Sequence, residues 1–503
     1  MRKINILRFL LLFIALLVVG INAYSNYRFE EISCMDVRVL REETDIDCSD
    51  YVEIDLSGYF SFKNEAAAVD RDTSTIYIAH KFPETIRYQD VEGNLTLSYD
   101  DYNLYFAPDP CFSDLHSAAK EGHRFKLIAA NAAGQYTYYY VVFTSLPVLC
   151  LEAVENTYVP ENQPFGTLCL WTPEDPDQFR YSVKTGFSDW HIRGATSSGM
   201  DKVPWKLSLK TSKHNKASLS LLGLGEDDDW ILNAMRLDDT KLKERLFMDL
   251  WNEMAAQTSY NHPMSKGEYV EVVINREYLG VFLLQRRIDA KYLELPSDNI
   301  IVKGVDIYKA EQVQGNYEIA STPISEENTF ELLRQIWDGD YSMFCPENFI
   351  DLSLFMHLSS AMDNASFKNM FYVIEPDASG YSLTMIPWDT DMTFGVCWED
   401  GFSYNYKMSL NAHTTRNEFS WMQEHHPDLQ ERMSERWQEL RRSVLTEENI
   451  LNHIMALNSQ LAESNTLARE HQRWPEYYGG ADSLENLCRF IHDKLLLLDE
   501  HYA

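Results

Sequence analysis

Two aspartates stand two residues apart in the segment 386–395, which reads Ile-Pro-Trp-Asp-Thr-Asp-Met-Thr-Phe-Gly. Asp389 and Asp391 have aromatic and apolar neighbours, and they come just after the run Tyr381–Ile386, which predicts a β-strand. Charged side chains among such neighbours are costly unless a counter-charge pairs with them. A divalent metal ion is the usual partner of adjacent hard oxygen ligands. The pair therefore predicts a metal site, with Asp389 as the ligand nearer to the strand end.

A third aspartate and an asparagine precede this pair. Asp363 and Asn369 follow a predicted helix, and a predicted hairpin then leads to Asp389. Protein kinases present a catalytic Asp, a metal-binding Asn, a hairpin and a metal-binding Asp in that order. The His-Arg-Asp and Asp-Phe-Gly signatures are absent. By this order Asp363 is the catalytic carboxylate that accepts the proton of an attacking hydroxyl, and Asp389, Asn369 and Asp391 are ligands of Mg²⁺.

Phosphoryl transfer also needs fixed cations that neutralise developing charge. Arg193 opens a segment rich in Gly and Ser, residues 194–199, and Lys202 and Lys206 follow it. We predict that these three side chains bind the phosphates of a nucleotide, although the segment matches no Walker pattern.

The elements that must position these residues show clear periodicities. The segment Trp205–Lys210 alternates apolar and polar residues, which predicts a half-exposed strand. Apolar residues repeat every four positions from Leu242 to Met254 and from Ile350 to Met362, which predicts two amphipathic helices. From about Pro427 onward the pattern is helical. This part of the chain, residues 146–503, is predicted to be one domain of mixed α and β structure.

Residues 24–145 differ from the rest in texture. Short alternating runs separated by turn residues predict a small β-rich, sandwich-like domain, with Tyr51–Leu56, Thr75–Ala79 and Tyr136–Phe143 as examples of its strands. The run Leu146–Leu149 predicts the opening strand of the next domain. No catalytic constellation is visible in residues 24–145. The predicted class of the whole chain is therefore α+β.

The composition excludes some partners. The chain has 503 residues and a formal net charge of −33. Nucleic-acid backbones require a positive protein surface, so we expect no nucleic-acid binding. The acidity supports solubility, and it also favours a basic protein partner.

The N-terminus predicts export. Basic residues precede the apolar run Phe9–Ile21, and small residues follow, with a cleavage point after Ala23, so residues 1–23 are expected to form a signal peptide or an uncleaved anchor. The membrane is expected to contact the protein only through this segment, and only if it is uncleaved. Export permits disulfides, with Cys34/Cys48 and Cys150/Cys169 as candidate local pairs, and buried free thiols are the alternative.

From Leu146 onward the chain resembles the CotH (spore-coat protein H) kinase family of exported or spore-associated bacterial proteins. The segments that carry the resemblance follow one another in family order: Leu146-Pro147-Val148, Arg193-Gly194 with Lys202–Leu207, Trp230–Leu232 with Asp238–Lys243, Asn275–Phe282, and Trp388–Asp391 with Phe394-Gly395. The resemblance implies an atypical protein-kinase-like fold that uses ATP and Mg²⁺ or Mn²⁺ to phosphorylate Ser or Thr of a protein. We expect the acceptor protein to be basic or rich in Ser. The resemblance also implies that Asp363 and Asp389 are the catalytic and metal-binding aspartates.

The chain departs from the expected pattern in four places. Asn369 stands six residues after Asp363, one more than the usual kinase offset. Val203 replaces a lysine, the loop after Gly194 lacks the usual Gly-Asn-Ser, and the hairpin ends in Gln285-Arg286-Arg287 without an acidic residue. These departures keep a second hypothesis open, a non-catalytic pseudokinase that serves as a cell-surface, scaffold or adhesion protein. A metal-binding module associated with carbohydrate is a third.

Overall fold

This computed structural model describes most of the chain after residue 47. The described ranges are 48–80, 94–154, 164–175, 180–305, 313–364, 368–378, 380–396, 416–478 and 480–503. The predicted signal segment 1–23 and Cys34 lie outside these residues. The chain divides into two compact units, Met1–Thr144 with Glu174–Arg180, and Ser145–Pro173 with Tyr181–Ala503.

The first unit is mainly β-structure. Its elements are β1 (Asp50–Tyr51), β2 (Phe60–Phe62), β3 (Glu65–Ala66), β4 (Ala68–Asp70), β5 (Thr75–Ala79), β6 (Leu95–Leu97), β7 (Asn103–Phe106), α1 (Leu115–Lys120), β8 (Phe125–Ala130) and β9 (Gln135–Thr144). One sheet has the order β4-β5-β9-β8-β7 with β1 also paired to β9, and a second sheet has the order β3-β2-β6. The sandwich-like arrangement of this part stays a prediction.

A closed barrel dominates the start of the second unit. The barrel strands and the elements between them in the chain are β10 (Val148–Ala153), β11 (Phe165–Asp175), β12 (Arg180–Ile192), β13 (Trp205–Lys210), β14 (Leu219–Ser220), β15 (Glu226–Asp227), β16 (Asp229–Asn233), α2 (Lys243–Ala255), β17 (Gly267–Ile274) and β18 (Glu277–Arg286). The barrel order is β10-β11-β12-β13-β16-β18-β17, and β14 pairs with β15 outside it. Burial alternates along β13, as its sequence predicts, because one face lies in the barrel core.

A four-stranded sheet follows the barrel in the chain. The elements of this part of the chain are β19 (Ile300–Gly304), β20 (Tyr317–Ser321), α3 (Glu326–Trp337), α4 (Pro346–Ser359), β21 (Met370–Asp377) and β22 (Gly380–Pro387). The four strands form the sheet in the order β20-β19-β21-β22. Pro346 occupies the first turn of α4, where its missing N–H costs nothing. Ser360 ends α4 in the left-handed region, with φ of 52°.

The C-terminal part is helical, as predicted. Its helices are α5 (Arg416–His425), α6 (Leu429–Arg441), α7 (Glu447–Ala462), α8 (Thr466–Arg473) and α9 (Leu484–His501). Thr446 and Ser483 cap α7 and α9 by accepting from backbone N–H groups. Apolar faces of these helices share one core with α2, α4 and the four-stranded sheet. In the described part of the chain, no helix has the length and apolar character needed to cross a bilayer.

The mixture of helices and sheets confirms the α+β class. Two strand predictions were wrong in extent. The run Tyr51–Leu56 pairs as a strand only at its start, and β10 begins at Val148 instead of Leu146. Pro147 precedes that start, and proline has no N–H to donate to a ladder. Cys150 lies opposite Cys169 across β10 and β11, yet Cys150 is a free, buried thiol.

Candidate active site

A cavity of about 490 Å³ collects most of the residues singled out in the sequence. Its wall comes from the segment after β12, from β13 and β16, from Lys303 of β19, and from the segments around Asp363 and Asp389. The predicted residues in this wall are Arg193, Lys206, Asp363, Asn369, Asp389 and Asp391.

Asp363 lies on a short 3-10 turn, Met362–Asn364, just beyond α4. Its Oδ1 accepts a hydrogen bond of 2.5 Å from Lys368 Nζ, and its Oδ2 accepts one of 2.9 Å from Asn369 Nδ2. Burial raises the pKa of the Asp363 carboxyl, and the hydrogen bond from Lys368 opposes that rise. The structure thus brings together the predicted catalytic aspartate and the predicted asparagine ligand.

Asn364 joins this turn to the end of the hairpin. Its Nδ2 donates to the carbonyl of Asn369 at 2.9 Å and to the carbonyl of Trp388 at 2.7 Å. The N–H of Trp388 donates to the same Asn369 carbonyl at 3.0 Å. Because Asn364 is fully buried, these bonds fix the spacing between the Asp363 turn and Asp389.

Two ligand candidates have strained backbones. Asn369 has φ of 52° and Asp389 has φ of 59°. Asparagine and aspartate tolerate this left-handed region better than most residues, but it still costs energy. Non-glycine residues in such conformations cluster at functional sites, where the surrounding structure holds them. The fixed backbone sets the direction in which each side chain leaves the chain.

Crowded carboxylates surround Asp389. Asp391 is half-buried and lines the cavity. Burial among protein atoms, together with the charge of Asp389, raises the pKa of the Asp391 carboxyl well above the usual range. Glu244, in the first turn of α2, accepts from Thr390 N at 2.6 Å and from Thr390 Oγ1 at 2.8 Å. Burial and the charge of Asp389 raise the pKa of Glu244 to about 8.

This donor set fits a hard divalent cation. Asp389 and Asp391 offer carboxylate oxygens, and Asn369, whose Nδ2 is used as a donor, offers Oδ1 as its remaining ligand atom. Mg²⁺ usually binds through one or two carboxylates together with waters and substrate phosphates, so it does not need a closed protein cage. Asp389, Asp391 and Asn369 are therefore the residues that would hold Mg²⁺ or Mn²⁺.

The cavity is also rich in cations, which is unexpected in a chain of net charge −33. Basic side chains of the described residues in its wall are Arg193, Lys206, Arg236, Arg287, Lys303 and Lys368. Several have carboxylate partners, such as Lys206, which pairs with Asp229 at 2.9 Å. Arg193 and Lys303 form no ion pair with a carboxylate of the described residues. Burial lowers the pKa of Lys303, and the charge of Asp389 partly offsets this effect.

Lys202 does not belong to this wall. Its Nζ is fully buried and lies 2.6 Å from Glu470 Oε1 of α8. Glu470 Oε2 accepts from Val281 N at 2.9 Å, and Gly280 permits this approach, because a Cβ there would meet the same oxygen at 2.0 Å. The structure therefore places Lys202 in an ion pair between β18 and α8, apart from the cavity.

Some residues of the site were missed in the sequence. Lys303 is a charged residue in the otherwise apolar strand Ile300–Gly304. A charge in such a strand was the sequence feature that could have identified it as a site residue. Asn364 stands next to Asp363 and has no signal of its own. Glu244 lies among charged residues at the start of α2, so only the fold reveals that it is buried beside Thr390.

A protein-family model covers the part of the chain that forms this cavity. The family model described as CotH kinase protein matches residues 190–338 and 342–497. The chain belongs to the CotH kinase protein family. This membership confirms the resemblance seen in the sequence, and the match includes Arg193, Asp363, Asp389 and the cations of the cavity wall. No curated protein matches the chain.

Proposed function

We propose that this CotH-family chain is an atypical protein kinase that transfers the terminal phosphoryl group of ATP to Ser or Thr of a protein. One observation carries the proposal. A strongly acidic chain collects Arg193, Lys206 and Lys303 around a cavity that also holds Asp363, Asn369 and Asp389. Polyphosphate next to a divalent cation is the ligand that this charge pattern suits.

Each residue has a separate task in this account. Arg193, Lys206 and Lys303 bind the phosphates and offset the negative charge that builds up on the leaving diphosphate. Asp363 orients the acceptor hydroxyl and takes its proton while the new O–P bond forms and the bond to ADP breaks. Mg²⁺ or Mn²⁺ at Asp389, Asp391 and Asn369 would supply further charge neutralisation at the phosphates.

The acceptor is proposed to be a basic or Ser-rich protein, because the net charge of −33 favours positive partners. Export is proposed from the N-terminal segment 1–23. Outside the cell ATP is scarce, so an exported kinase needs either a local ATP source or phosphorylation before export.

One observation favours a second candidate function, that of a non-catalytic scaffold of the same fold. Both carboxylate oxygens of Asp363 already accept hydrogen bonds, from Lys368 and Asn369. An attacking hydroxyl would have to share or displace the Lys368 contact. In a scaffold, this contact would simply be permanent.

Transfer of labelled phosphate from ATP to a basic, Ser-rich peptide tests the choice. An acidic Ser peptide of the same length is the matched control for acceptor charge. Transfer to the basic peptide supports the kinase. A failure to transfer, combined with no change in melting temperature on adding ATP and Mn²⁺, would contradict the kinase and favour the scaffold.

A further inference from the structure

A second group of metal-ligating side chains lies in the first unit, far along the chain from the kinase-like cavity. Asp109, Cys111 and His123 each offer one ligand atom, and the three atoms all lie within 4.8 Å of one another. They come from the connection between β7 and β8, which contains the 3-10 helix Pro110–Ser113 and the short helix α1.

The local structure orients two of the three ligands. Asp109 caps the 3-10 helix, and its Oδ1 accepts from Cys111 N at 2.9 Å. Its Oδ2 lies 2.6 Å from Nε2 of His123. The His123 ring packs edge-on against the ring of Phe125, with 4.7 Å between the ring centroids. The cap therefore leaves Oδ2 directed at the imidazole, as a monodentate carboxylate ligand requires.

The donor types select the metal. A thiolate, an imidazole and a carboxylate together suit a borderline-soft ion such as Zn²⁺, whereas Mg²⁺ and Ca²⁺ prefer oxygen alone. In a tetrahedral zinc site, ligand atoms stand about 3.5 Å apart. The present spacing, up to 4.8 Å overall and 2.6 Å between His123 and Asp109, needs shifts of only about 1 Å to meet that geometry.

We infer that Asp109, Cys111 and His123 form a zinc site with three protein ligands and an open fourth position. On binding, the thiol proton of Cys111 is released to water, and the ring proton of His123 moves to Nδ1 so that Nε2 can ligate. The metal closes the β7–β8 connection, so it stabilises the first unit. This inference is independent of the proposed kinase activity.

Titration of the full, phosphine-reduced protein with Co²⁺ tests the site, because a thiolate ligand gives a charge-transfer band that oxygen ligands at the kinase-like cavity cannot give. Wild type should show the band with one Co²⁺ per chain, and Zn²⁺ should abolish it by competition. Cys111→Ser should lose the band, and His123→Gln should weaken Co²⁺ affinity at least tenfold.

Cys345→Ser is the matched control. Cys345 is also partly exposed, and its Sγ lies 3.6 Å from the Glu347 Oε2 carboxylate oxygen two residues on. Because Cys345 does not belong to the Asp109, Cys111 and His123 cluster, its variant should keep the full band. No band in wild type, or an undiminished band in Cys111→Ser, would overturn the inference. If Cys111→Ser fails to fold, unchanged Co²⁺ affinity in both His123→Gln and Asp109→Asn would overturn it equally.

Discussion

Asn369 donates its side-chain amide to Asp363 Oδ2 at 2.9 Å, although the two residues were predicted to act on different partners. This bond orients the carboxylate that would take the acceptor proton. It also selects Oδ1 of Asn369 as the atom that can ligate a cation. The proposed general base and the proposed metal ligand are thereby coupled through one amide.

Replacement of Asn364 should damage the site through geometry. Asn364→Ala leaves the buried carbonyl of Trp388 without its side-chain donor, whereas the carbonyl of Asn369 keeps the N–H of Trp388, so the free energy of unfolding should fall by about 1–3 kcal/mol. Affinity for Mn²⁺, measured by calorimetry, should fall at least tenfold. Asn348→Ala is the control, since Asn348 is also buried and bonded to Met385, and it should lose stability while keeping Mn²⁺ affinity. Equal Mn²⁺ affinity in both variants would refute the coupling.

Lys303 should contribute to binding and not to stability. Lys303→Met removes a lysine that is costly to bury and that has no carboxylate partner in the described chain, so the melting temperature should hold or rise. Affinity for ATP should fall about tenfold, since one cation close to the phosphates is lost. Lys303→Arg should retain most of that affinity. Unchanged ATP affinity in Lys303→Met would remove this residue from the phosphate site.

Lys202 should behave in the opposite way. Lys202→Met leaves Glu470 buried beside Lys241 without its nearest cation, which should cost about 3–5 kcal/mol of unfolding free energy. The double variant Lys202→Met/Glu470→Gln should recover part of that loss. Denaturant unfolding of these two variants and of Glu470→Gln measures the coupling, and the ATP affinity of the folded fraction of Lys202→Met should be unchanged. A loss of ATP affinity at full stability would restore Lys202 to the nucleotide site.

The first unit should lose stability in acid because of His80. Burial lowers the pKa of His80 to about 4, below the value of 6.5 expected in the unfolded chain. Between pH 6.5 and pH 4 the unfolded chain binds a proton on His80, whereas the folded chain keeps the imidazole neutral. The free energy of unfolding therefore decreases as the pH falls from 6.5 towards 4. Between pH 7 and pH 5 the loss should be about 2 kcal/mol.

Hydrogen exchange of the β9 amides in the full chain reports this loss. His80→Phe should flatten the pH dependence, whereas His116→Phe, at an exposed position of the same unit, should keep the wild-type slope. An identical slope in wild type and His80→Phe would contradict the assignment.

The sequence predicted those parts of the site that are local in the chain. Asp363 and Asn369 lie between helix α4 and the β21–β22 hairpin, and Asp389 follows that hairpin, so local elements bring the three residues to one cavity. Lys303 could not be predicted in the same way. It reaches the cavity because β19 pairs with β21, with Lys303 opposite Phe371, and strand pairing over that distance is set by the whole sheet.

The two lysines after Arg193 show the same limit. Lys202 and Lys206 are equivalent in residue type, but the first is buried by Glu470 of α8 and the second lines the cavity. The residue that separates their environments lies more than 260 positions along the chain from Lys202. The alternation of Trp205–Lys210, by contrast, depends only on neighbouring residues, and it was predicted with its correct bounds.

Transfer of labelled phosphate by wild type, Asp363→Asn and Asp389→Asn tests the central claim most directly, with Mn²⁺ or Mg²⁺ present and Asp298→Asn as an exposed control. Wild type and Asp298→Asn should phosphorylate the basic Ser peptide equally. Asp363→Asn and Asp389→Asn should each transfer at least about 100-fold less, because one removes the general base and the other a metal ligand. Undiminished transfer by both of these variants would contradict the account.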